Sequence, residues 1–122
     1  MTVFTAIFAS LSALLHAVFF VLESVLWRNP KAWSRFGVRD QASADIVAPM
    51  AYNQGFYNLF LSIGVVVGLI VGGDAGNAVV VFSCASMLAA ALVLVTKNVA
   101  MARAATIQGL FPLIAVVGAI IG

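Results

Sequence analysis

Charge is what this chain has least of. Only 8% of its 122 residues are charged, against about a quarter in a soluble domain of ordinary composition. Hydrophobic residues make up 64% of it, too many to be covered by a water-facing surface, so the chain is suited to a lipid solvent. Cysteine occurs once, at Cys84, which excludes an internal disulfide and any cysteine-based metal pattern. Histidine and glutamate also occur once each, at His16 and Glu23. One imidazole, one such carboxylate and a few amides are a poor ligand set, so no metal site is expected. Six Lys and Arg residues are too few and too scattered to form a basic soluble face, which argues against nucleic-acid binding. Internal repeats, low-complexity tracts and domain linkers are missing as well. The chain therefore reads as a single transmembrane domain over 1–122, and an inverted-repeat transporter cannot be built within one copy.

What is present is four long apolar segments: Val3 to Trp27, roughly Tyr52 to Gly72, Ala78 to Thr96, and roughly Ala104 to Gly122. A bilayer core is crossed by about 20 helical residues at about 1.5 Å each, and every segment meets that length. Unpaired backbone amides cost several kcal/mol in lipid, so the segments must be helices. A closed barrel would need alternating strands, and these runs are continuously apolar. The first segment lacks a basic n-region and is too long for a cleaved signal peptide. The expected fold is all-α, an integral membrane four-helix bundle with helices over about 3–27, 43–72, 78–96 and 100–121.

The cations set an orientation. Arg28, Lys31, Arg35 and Arg39 fall between the first and second segments, Lys97 and Arg103 between the third and fourth, and the "GGDAGN" turn has none. With four spans these two loops share a side. By the positive-inside rule that side is cytoplasmic and both termini are extracytoplasmic, in the inner (plasma) membrane.

The first loop is the one substantial polar region. In "WRNPKAWSRF", Trp27, Trp33 and Phe36 suit the membrane interface, with Lys31 and Arg35 four apart, and a short interfacial helix is expected there. Gly37 would end it. Ser43 is a plausible N-cap for the second helix, with Pro49 kinking that helix or marking its proper start.

Within the spans, polar residues gather at one depth. His16 and Glu23 are seven apart and share a helix face, Glu23 about 10 Å nearer the basic side. Helix two brings Asn53, Gln54, Tyr57 and Asn58 to that leaflet, and helix four brings Gln108. A central acid facing lipid costs about 2.5–3.5 kcal/mol on insertion scales. Glu23 should therefore point inward toward these amides, making a polar pocket closed near the midplane and open toward the basic side. Gly64 and Gly68 form a small-xxx-small pair, a candidate dimer or bundle seam.

"HAVFFVLESVLW", "AYNQGFYNLFLSIG" and "IQGLFP" resemble the small bacterial membrane proteins of domain-of-unknown-function family 1304, over essentially the whole chain. The resemblance implies four membrane helices and points to His16, Glu23, Asn53, Gln54, Gly55, Tyr57, Asn58, Gln108 and Pro112. It implies no activity and no cofactor.

Each residue also has a plainer role open to it. Glu23 can be a structural partner of the helix-two amides, His16 a core histidine bonded to a carbonyl, and Asn53, Gln54 and Asn58 interhelical glue. Three functions fit. The favoured one is a binder of a small amphipathic or lipid-like molecule, with His16, Glu23, Asn53, Gln54, Tyr57, Asn58 and Gln108 as ligand-binding candidates. The second is an enzyme with Glu23 and His16 as acid–base pair, for which an offset of about 10 Å is long. The third is an accessory subunit of a larger membrane complex, or a homodimer.

Overall fold

The computed structural model describes residues 1–122 as an all-α bundle. Helix α1 spans Val3–Phe20 and continues through a π-helical turn over Val21–Val25. A short helix α2, Pro30–Trp33, runs into a 3-10 turn at Ser34–Phe36. Helix α3 spans Gln41–Val71, α4 Gly73–Lys97 and α5 Ala102–Ile121, the last preceded by a 3-10 turn at Val99–Met101. Four of these segments are long and apolar enough to cross a membrane. Around the bundle the order is α1, α3, α4, α5: α1 and α4 each pack against both α3 and α5, and face one another across the diagonal. The antiparallel runs place both termini and the α3–α4 turn at one end, and the two basic loops at the other.

The packing is that of a protein in lipid. The central cluster is Ala9, Ala13, Val65, Val80, Cys84, Met87 and Ala115, while Phe4, Ile7, Leu14, Ile70, Phe82 and Ile121 are exposed. Lipid tails solvate large apolar side chains as well as a core does. Helices in a bilayer therefore associate through small residues that let backbones approach. Gly68 shows it: a Cβ there would lie 2.6 Å from Val80 Cγ2 and 2.7 Å from the Gly76 carbonyl oxygen. Gly64 meets Ser83 on the same α3–α4 seam. The Gly64–Gly68 pair is thus used inside the bundle.

Several boundaries differ from the sequence reading. The "GGDAGN" stretch is not a loop. Gly72 and Gly73 turn the chain with φ of 66° and 61°, a region open to glycine without steric cost, and α4 begins at once. Ser43 is not the N-cap of α3. Asp40 is, its side chain accepting from the Ser43 amide at 2.7 Å, and that bond holds the Asp40 carboxyl below its ordinary range. Pro49 lies within α3, which runs through it unbroken, so it does not mark the start. Gly37, at φ 79°, does end the short helical stretch of the first loop.

The two tryptophans are buried. Trp27 and Trp33 pack with Ala44 and Ala51 at the basic end. Trp27 Nε1 donates to the Ala44 carbonyl at 2.9 Å, and Trp33 Nε1 to Gln41 Oε1 at 3.3 Å. The loop is thereby tied to the first turns of α3.

Candidate functional site

The geometry of the polar cluster begins with the π-turn of α1. Its wider hydrogen-bonding pattern, with the Leu26 amide reaching back to Val21 O at 2.9 Å, falls on the segment that carries Glu23 and Ser24. Such turns are rare and concentrate at functional sites. Opposite them, Gly55 removes the one Cβ that would block α3, since an added carbon there would collide with Ser24 Oγ and come to 3.1 Å from Glu23 Cβ. The close approach lets Ser24 Oγ donate to the Tyr52 carbonyl at 2.8 Å. One turn of α3 further on, Asn58 Nδ2 donates to Glu23 Oε1 at 2.7 Å, so the acid does turn inward and is met by a helix-two amide. Ser62 continues the contact, its hydroxyl donating to Ala13 O at 2.7 Å across the helix pair.

His16 is buried, with Nδ1 bonded to the Ser12 carbonyl at 2.9 Å. A carbonyl can only accept, so Nδ1 carries the proton and Nε2 is left for another partner. The ring stands edge-on to Phe19, centroids 5.2 Å apart.

A cleft of about 350 Å³ runs beside these groups. It is lined by His16, Phe19 and Glu23 of α1, by Gln54, Tyr57, Asn58 and Leu61 of α3, by Met87, Ala90, Val93 and Leu94 of α4, by Gln108 of α5 and by Phe36 of the first loop. Six of the seven ligand-binding candidates therefore share one space. The seventh, Asn53, does not reach it: it is exposed, one residue off the stripe of Gln54, Tyr57 and Asn58. The wall from α4 is entirely apolar, and Met87 and Phe36 escaped the sequence reading because nothing in an apolar or aromatic residue marks it as lining rather than packing. Phe36 meets Phe19 edge-on and Trp27 at a tilt, centroids 6.4 and 5.6 Å apart, at the basic end of the cleft. On the α3 and α4 walls Tyr57 is 58% and Val93 67% exposed.

On its other side Glu23 borders a second recess, of about 340 Å³, shared with Ser24, Trp27, Arg28, Pro49 and Tyr52. Oε1 is taken by Asn58. Oε2 has no protein partner and is not sealed off, so it is the oxygen available to a visitor. No group of three or more His, Cys, Asp or Glu side chains is placed to hold a metal ion.

Neither the curated proteins nor the solved structures contain a match to this chain. The model of the family described as Protein of unknown function (DUF1304) matches residues 10–120, a stretch that holds every residue of the cleft, and the chain belongs to that family.

Proposed function

We propose that this multi-pass membrane protein binds a small amphipathic or lipid-like molecule in the cleft between α3 and α4, within the leaflet on its basic side. One observation carries the reading: polar groups from three helices converge on a single space under an apolar wall. Ligand sites are mostly apolar cavities of about 300–1,000 Å³ with a few placed polar groups, and the cleft has that size and that makeup. The polar head would meet Glu23 Oε2, His16 Nε2 and the Gln54 and Gln108 amides. The tail would lie along Leu61, Met87 and Val93 and leave past the exposed Tyr57 and Val93. Because all six cations lie in the two loops at one end, we place that end in the cytoplasm and both termini outside.

An enzymatic reading has one observation in its favour, that His16 and Glu23 line the same cleft. Their offset of about two helical turns is long for one proton transfer and calls for a substrate that bridges them.

Native mass spectrometry of the protein extracted from its own membrane tests the proposal. A small molecule should co-purify with the wild-type chain and be lost when the cleft is filled by Ala90→Phe. A chain that carries nothing but bulk lipid, equally in both forms, would leave the accessory-subunit role as the better account.

A further inference from the structure

Resting on the reading that the cleft is a ligand site, we infer that its ligand is an amphipathic organic cation, an alkylammonium-type head on an apolar tail. Glu23 is the only charged residue lining the cleft; no Lys or Arg shares that space, and Arg28 borders only the separate recess on the far side of the carboxylate. The protein supplies one hydrogen bond to the carboxylate, from a neutral amide to Oε1, and nothing to Oε2. An ionised carboxylate inside a membrane bundle is costly unless it is paired, and no Lys or Arg lines the cleft to pair with it.

The remaining walls select the kind of cation. Phe19, Phe36 and Tyr57 present three aromatic rings to the same cleft, and a cation over an aromatic face is attracted by the ring quadrupole, the arrangement that recognises quaternary ammonium groups. The other polar groups, His16 Nε2 and the amides of Gln54 and Gln108, suit a weakly hydrated head better than a bare metal ion, which would demand several hard oxygen ligands. A free anion is disfavoured by Glu23 itself. An alkyl tail has its path in Leu61, Met87, Val93 and Leu94, and the exposed Tyr57 and Val93 give the cleft a side that the bilayer reaches.

The test uses the full chain in nanodiscs of uncharged lipid, with empty nanodiscs as blank. Calorimetric titrations compare three probes that share a dodecyl tail: dodecyltrimethylammonium, dodecanol and dodecanoate. The ammonium probe should bind at least about tenfold more tightly than dodecanol, a difference of about 1.4 kcal/mol. Glu23→Gln should abolish that preference, and Tyr57→Leu should weaken ammonium binding by about two- to fivefold, the share of one partly exposed ring. If dodecanol or dodecanoate binds as tightly as the ammonium probe, or if folded Glu23→Gln keeps the preference, the cation assignment is wrong while the cleft remains a ligand site. If no probe binds above the blank, both the assignment and the proposed function fall. The wild-type comparison decides by itself should Glu23→Gln not fold.

Discussion

Substituting Gly55 by alanine isolates the contact on which the site is built. Two effects oppose each other. In a helix interior alanine is favoured over glycine by about 0.8–1.0 kcal/mol, and on an open helix face Gly55→Ala would stabilise. Here the new methyl meets Ser24 and Glu23. Ser24 Oγ can rotate away, but it then gives up its bond to Tyr52 O, worth about 0.6 kcal/mol in a membrane protein. Ser24 Cβ and Glu23 Cβ, each 3.1 Å from the added carbon, cannot rotate, and the helices must part; overpacking of this kind costs about 1–3 kcal/mol. The balance is a net loss of about 0.6–2.8 kcal/mol, to be read as reversible unfolding in mixed micelles. The same displacement lengthens the 2.7 Å bond from Asn58 to Glu23, so ligand retention should fall beyond what stability alone explains. Gly64→Ala on the same helix is the control, since its added methyl meets chiefly the rotatable hydroxyl of Ser83. If Gly55→Ala proves as stable as wild type or more so, α1 and α3 do not approach as described, and the geometry assigned to Glu23 fails with them.

Glu23→Gln should leave stability nearly unchanged, because an amide can still pair with Asn58, whereas Glu23→Leu leaves that amide unpaired and should cost roughly 0.6–2 kcal/mol in the same unfolding assay; equal losses would mean the Asn58 bond contributes nothing. A reporter active only in the cytoplasm, fused after Gly122, should be silent, and strong activity would reverse the orientation. At Asp40 the folded-state pKa lies below the ordinary 3.8, so its cap contributes stability above that value and loses it as pH falls through the lower, folded one. Hydrogen exchange of the Ser43 amide should therefore accelerate in acid well below pH 3.8, and an unchanged protection factor across that range would show that the cap contributes little.

Much of this molecule is legible in the sequence because the solvent writes it there. The spans follow from runs of apolar residues that nothing but helix can carry through a bilayer, and the shared end of the two basic loops follows from there being four spans. The site is half legible: Glu23 and Asn58 announce themselves as polar residues at one depth, and their meeting follows from the cost of leaving an acid in lipid. Asn53 shows where that reasoning stops. Depth alone cannot tell a residue on the stripe from its neighbour about 100° around the helix. The π-turn is invisible for another reason: nothing in "VLESV" disfavours an ordinary helix, and the wider turn depends on what α3 presents opposite. The tryptophans mark the end of the first span in the sequence, but that their indoles are buried, Trp27 on the Ala44 carbonyl, shows only once the partner is seen.

The glycine seam between α3 and α4 has a mechanical consequence. The two helices are held backbone to backbone at Gly68 and Gly76 and joined by a tight turn at Gly72 and Gly73, and their other halves form two walls of the cleft. They form a peg whose spring is at the terminal end and whose jaws are Tyr57 and Val93. Opening the jaws by a few ångströms takes only a small angle at the spring, spread over several turns of helix, and disturbs none of the small-residue contacts there. For a cleft that takes ligand as proposed, guests of different girth would then be accommodated by the angle at the spring, with the length of the lever, not the repacking of a core, setting how wide the peg opens.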